Sequence, residues 1–146
     1  MRSNAQSGTI LLVDDNSAVR TLAEKLLERA GYSLATAADG SEGLRYYQQH
    51  QSSIALLLTD VMMPKMNGLE LAEQVLRIDS QLPVLFMSGD AGCLFRGLEC
   101  LAKPFRSGQL LESLNRLLTR NTHLEKTGGR SVALADALQA LERLRI

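Results

Sequence analysis

The chain has 146 residues, 45% hydrophobic and 22% charged, which suits one soluble domain with a sizeable core. Its formal net charge is +0, aromatics are 4% and Trp is absent, so neither a basic surface for nucleic acid or anionic membrane nor a base-stacking surface is expected. Two cysteines, Cys93 and Cys100, are too few for a disulfide framework and too widely spaced for a C-x-x-C pair. They read as small buried hydrophobes in a reducing compartment.

The polar stretch Met1–Gly8 is a tail without the apolar run of a signal peptide, and no segment approaches a membrane span. A cytoplasmic protein is therefore expected. Thr9–Val13 reads as a buried strand. Ser17–Ala30 reads as a helix with Val19, Leu22, Ala23, Leu26 and Leu27 inward and Gly31 as its stop. Tyr32–Ala37 is a weaker strand, and Ser41–His50 a short helix after the Asp39-Gly40 turn. Ile54–Thr59 is apolar throughout, as in a central parallel strand covered on both faces. Met62–Gly68 is a loop with Pro64 and Asn67-Gly68. Leu69–Ile78 is helical, with Leu69, Ala72, Val75 and Leu76 on one face. Pro83–Met87 is a fourth strand, residues 89–98 are irregular, and Glu99–Ala102 is a short fifth strand. Ser107 is expected to cap a helix to about Arg120, with Leu110, Leu111, Leu114, Leu117 and Leu118 inward. One domain-sized unit thus spans 9–120. Residues 121–130, with Gly128-Gly129, have linker composition, and 131–146 form an amphipathic stretch too short to fold alone.

Strands alternating with helices imply an α/β fold with a parallel sheet, whose ligands sit beyond the carboxyl ends of the strands. Five polar residues fall at strand ends: Asp14, Asp15, Asp60, Ser88 and Lys103. Three clustered carboxylates repel unless a cation shares the site, and oxygen ligands select a hard cation such as Mg²⁺. A carboxylate at position 60 can attack phosphorus. Lys103 and the Ser88 hydroxyl can pair with phosphoryl oxygens. Each residue alone has a plainer explanation: Asp14-Asp15 as a turn or helix cap, Asp60 as a turn residue, Ser88-Gly89 as a strand terminator, Lys103 as a surface charge. Their order on successive strand ends is what favours chemistry.

These segments carry a family resemblance. Ile10-Leu-Leu-Val-Asp-Asp-Asn16, Leu57-Leu-Thr-Asp-Val-Met-Met-Pro-Lys-Met-Asn-Gly68, Pro83-Val-Leu-Phe-Met-Ser-Gly89 and Leu101-Ala-Lys-Pro-Phe105 resemble the receiver domain of two-component response regulators, over about residues 8–120. The resemblance implies a flavodoxin-like, doubly wound five-stranded sheet of order 2-1-3-4-5. It implies Asp60 as the phosphoacceptor. It implies Mg²⁺ held by Asp15, Asp60 and the backbone carbonyl of Met62, with Asp14 acting largely through water. It further implies Ser88 and Lys103 as phosphoryl-binding groups, Pro64, Gly68 and Pro104 as structural residues, and a cis Lys103–Pro104 bond. The donor would be a phosphohistidine on a histidine kinase or phosphotransfer protein.

Three features depart from the family pattern. Cys100 occupies the position of an aromatic switch residue, three before the lysine. Residues 89–98 hold three glycines and are short for a crossover, so the fourth helix is expected to be a single turn or missing. Met62, two residues after Asp60, cannot orient water by hydrogen bonding, whereas Asp90 could assist or repel it; slow self-dephosphorylation is expected. The 131–146 helix reads equally as a dimer element, an intramolecular cover for the shortened face or the start of a linker helix. A homodimer could form through it or through the altered fourth-helix face, and no direct nucleic acid or membrane partner is expected. The rivals are a phosphatase of the haloacid-dehalogenase type, disfavoured because its nucleophile sits in an Asp-x-Asp motif on the first strand, and a receiver-like interaction module that is not phosphorylated.

Overall fold

Five apolar runs form one parallel sheet. In the computed structural model, which describes residues 8–89 and 98–120, they are β1 (Thr9–Val13), β2 (Ser33–Ala37), β3 (Ile54–Asp60), β4 (Val84–Ser88) and β5 (Cys100–Ala102). Four α-helices stand among the described residues: α1 (Ser17–Arg29), α2 (Gly40–His50), α3 (Gly68–Ile78) and α4 (Ser107–Arg120). A short 3-10 turn, Gln51–Ser53, leads into β3. The sheet order is β2-β1-β3-β4-β5, the flavodoxin-like doubly wound arrangement. Residues 90–97, where the sequence predicts at most one helical turn, and the expected linker and tail helix at 121–146 lie outside the described residues.

The continuous apolar character of the inner strands follows from cover on both faces. Leu11, Val13, Leu57, Val84 and Phe86 pack with α2 and α3 residues such as Tyr47, Leu71 and Val75. Their neighbours Ile10, Leu12, Leu56, Leu58, Leu85 and Met87 point the other way, against Ala23 and Leu27 of α1 and Leu110, Leu114 and Leu117 of α4. One-residue alternation along each strand therefore divides the core into two layers.

Side-chain caps explain the starts of α1 and α3. Asn16 caps α1, its side chain accepting from Ala18 N–H and Val19 N–H at 2.9 and 3.1 Å. Asn67 and Glu70 form a reciprocal capping box on α3. Two expectations need correction. Leu22 is not inward but 52% exposed, because Ala23 and Leu27 alone place the buried stripe of α1. Ser107 is the first helical residue rather than the cap; Arg106 precedes it, and the Arg106 N–H donates to the Gln109 side chain at 2.8 Å.

Register brings the strand ends together. Val13 pairs with Thr59, Asp60 with Met87, and Ser88 with Ala102. One step beyond those pairs lie Asp14 and Lys103, so the residues after β1 and β5 reach the same edge as the last residues of β3 and β4.

Candidate functional site

Asp14 is fully buried at the end of β1. Its N–H donates to the Ala37 carbonyl at 3.2 Å. Its carboxylate accepts from the Asn16 N–H at 2.9 Å through Oδ1 and from Lys103 Nζ at 3.1 Å through Oδ2. Asn16 caps α1, so the Asp14-Asp15 pair is not the helix cap, although the Asp14 side chain does bond the turn through the Asn16 N–H. Asp15 is exposed beside it. The Arg20 guanidinium reaches back from α1 and donates to the Asp14 carbonyl at 2.6 Å.

Asp60 is the last residue of β3, buried, with its Oδ1 3.3 Å from Lys103 Nζ. One ammonium thus bridges two carboxylates that arrive from different strands. The buried Thr59 hydroxyl donates to the Asp60 carbonyl at 3.0 Å. The following loop closes through the Gly68 N–H, which donates to the Val61 carbonyl at 2.8 Å. A Cβ at Gly68 would strike the Asp60 carbonyl, so glycine there is a condition of the site's backbone. Burial, and next the neighbouring Asp14 charge, raise the Asp60 carboxyl to about 6; Lys103 opposes the rise, and Asp15 adds to it.

On the far side, Ser88 is buried at the end of β4, and the Lys103 N–H donates to its carbonyl at 2.8 Å. The Lys103–Pro104 bond is cis, as expected. Cys100 opens β5 and packs against the α2/α3 layer. It corrects the sequence reading: it is half-buried, because a three-residue edge strand cannot enclose it, and it is disulfide-bonded rather than a free thiol. Cys93 lies outside the described residues.

Ligand oxygens of Asp14, Asp15 and Asp60 all lie within 4.8 Å of one another. An oxygen-only donor set of this size, holding a buried carboxylate whose ionised form is disfavoured, fits a small hard divalent cation. The other expected contributor, Met62, stands in the loop and is 53% exposed.

Residues 10–115 match the family model of the response regulator receiver domain. The chain belongs to this family. It is 33% identical to the response regulator receiver protein CpdR of Brucella abortus (strain 2308), over 75% of this chain and 95% of that protein. It is 38% identical to the transcriptional regulatory protein CpxR of Escherichia coli (strain K12), over 77% of this chain but 50% of that protein. The chain therefore spans nearly all of one relative and about half of another. Among solved structures, a response regulator receiver domain protein from Clostridium thermocellum superposes with a TM-score of 0.72 at 29% identity, covering 77% of this chain and 95% of that one. The receiver domain of the hybrid histidine kinase CckA gives 0.68 at 36% identity, covering 76% and 99%. As a member of this family the chain is a signalling module rather than a conventional enzyme, and no helix among its described residues is long and apolar enough to cross a membrane.

All five strand-end residues lie at one edge of this receiver. Sequence reasoning missed Arg20 and Thr59. Arg20 had a faint signal: a cation near a helix start that has no acidic residue in its first turn runs against the helix dipole. Thr59 had none, since it reads as part of an apolar strand.

Proposed function

We propose that this receiver accepts a phosphoryl group from a phosphohistidine of a histidine kinase or phosphotransfer protein onto Asp60, in a Mg²⁺-dependent reaction, and signals through a conformational change. The observation that carries the reading is the buried Asp60 carboxylate, 3.3 Å from Lys103, with two further carboxylates beside it at the carboxyl edge of the sheet.

A carboxylate oxygen of Asp60 attacks phosphorus; the P–N bond breaks and its electron pair leaves on the imidazole nitrogen. Asp14, Asp15, Asp60 and the Met62 carbonyl would hold Mg²⁺, which supplies charge neutralisation for the phosphoryl oxygens. Lys103 already stands between Asp14 and Asp60 and can exchange a carboxylate contact for a phosphoryl oxygen. Ser88, at the end of the neighbouring strand β4, is suited to donate its hydroxyl to another. Bringing negative charge to this edge changes what Lys103 and Ser88 bind, and that local change biases the conformation.

Phosphotransfer profiling against the histidine kinases of the source organism tests the reading, with acetyl phosphate as a small-molecule donor. Labelling should require Mg²⁺, stop on addition of EDTA, and vanish in Asp60→Asn. Failure of both donor types to modify Asp60 would leave an interaction module without phosphorylation.

The exposed thioether of Met62 offers no hydrogen bond to an attacking water, so self-dephosphorylation is slow. Met62→Asn should accelerate phosphoryl loss by about tenfold, the rate equivalent of one hydrogen bond of about 1.4 kcal/mol. Decay of the labelled protein after donor removal measures it, and an unchanged rate counts against the assignment.

A further inference from the structure

Arg20 spends its guanidinium on the backbone of the acidic edge. Its Nη1 lies 2.6 Å from the Asp14 carbonyl oxygen, in a half-buried contact. That carbonyl belongs to the peptide joining Asp14 to Asp15. The other side of the turn is already secured: the Asp14 N–H is bonded to Ala37, and both Asp14 carboxylate oxygens have partners. Asp15 is different. It is exposed, and its direction is set by the peptide plane before it. Fixing that carbonyl restricts rotation of the Asp14–Asp15 peptide and so restricts where the Asp15 carboxylate projects.

The arginine is placed against its helix. It sits one turn into α1, whose first turn has no acidic residue, and a cation near a helix start is disfavoured by the dipole. Its reach to a strand-end carbonyl is a compensating contact, and a planar, multiply donating guanidinium suits it.

We propose that Arg20 is a positioning residue for divalent-cation binding, holding the Asp14–Asp15 peptide so that Asp15 completes the carboxylate set. The proposal rests on the metal-binding reading above. Its sign is diagnostic. As a mere positive charge near the site, Arg20 would oppose a cation, and its removal would tighten Mg²⁺ binding. As a positioning residue, its removal weakens binding.

The experiment is calorimetric titration of the protein with MgCl₂, comparing wild type, Arg20→Gln and Arg20→Lys. A parallel measurement follows the Mg²⁺ dependence of Asp60 labelling by acetyl phosphate. Arg20→Gln should weaken Mg²⁺ binding by about tenfold, the low end for loss of a residue supporting a metal ligand. Arg20→Lys, which keeps a donor and a charge, should recover most of that loss. The labelling rate at saturating Mg²⁺ should stay within about twofold of wild type, since only assembly of the ligand set is affected. Unchanged or tighter binding in Arg20→Gln overturns the proposal. So does a lowered saturated rate with an unchanged Mg²⁺ half-saturation. A wild type that gives no Mg²⁺ binding overturns the metal-binding reading itself, and this differs visibly from a defect confined to the variants.

Discussion

The two halves of the sheet's carboxyl edge are built to different standards. The β1–β3 half has a seven-residue central strand paired on both sides, a fully buried Asp14 with every carboxylate oxygen engaged, and a loop pinned by Gly68. The β4–β5 half ends in a three-residue edge strand whose first residue, Cys100, is half-buried. Nucleophile and ligands need preorganised positions, because catalytic and metal-binding groups lose effect with small displacements. An element that reports a chemical event needs two accessible arrangements, so it is drawn from the less stable part of a fold. The proposed phosphoacceptor and the carboxylate set lie in the over-determined half, whereas Ser88, Lys103 and Cys100 belong to the thin one.

Glycine substitutions probe this contrast most strongly. Gly68→Ala drives a Cβ into the Asp60 backbone and should cost about 2–3 kcal/mol, as overpacking does. Gly89→Ala, at the end of β4, meets nothing within 4 Å and should lie within about 0.5 kcal/mol of wild type. Urea denaturation measures both; equal effects would erase the contrast.

Next in size is the charge on Asp60. Its carboxyl is raised to about 6 by burial and by Asp14, so between the ordinary range near 3.8 and about 6 the folded state binds more protons than the unfolded state. In Mg²⁺-free buffer its contribution to stability therefore falls as pH rises through that window. Asp60→Asn removes the charge. Allowing for screening by solvent, it should be about 1–2 kcal/mol more stable than wild type at pH 7, an advantage that disappears toward pH 4. Denaturation midpoints across pH, with and without Mg²⁺, decide it. A pH-independent difference would mean the burden is not electrostatic.

Lys65 is a smaller test within the strong half. It holds φ at 69°, the left-handed region, in the loop between Asp60 and α3. Lys65→Gly should stabilise by about 0.5–1 kcal/mol, the left-handed penalty less the added chain entropy of glycine. Thermal melts read the gain.

The smallest expected effect is in the thin half. Arg116 of α4 binds Glu99, just before β5, at 2.7 Å on a largely exposed surface. Glu99→Gln should cost about 0.5 kcal/mol, and the difference should shrink at high salt. A loss above about 2 kcal/mol would show that this ion pair anchors β5 as firmly as packing anchors β3.

Much of this was readable in the chain. Apolar runs such as Leu56-Leu57-Leu58 announce a strand buried on both faces, and the spacing of Leu69, Ala72, Val75 and Leu76 announces a helix, because both signals are local. The five strand-end residues were legible as a set because polar groups at apolar strand ends need a reason. Leu22 and Ser107 were misread for a related cause: periodicity shows that a helix has an apolar stripe, but packing chooses its edges and its exact start.

The sequence by itself determined the element order, the family and the chemical types at the sheet edge, since each rests on short-range pattern and side-chain identity. Tertiary structure alone decided that Lys103, 89 positions from Asp14, stands between two carboxylates. It likewise decided that Arg20 turns back to the Asp14 carbonyl and that Cys100 is paired and half-buried. These are long-range or orientation-dependent contacts. They depend on strand register and on which groups burial leaves near one another, and no local pattern encodes them.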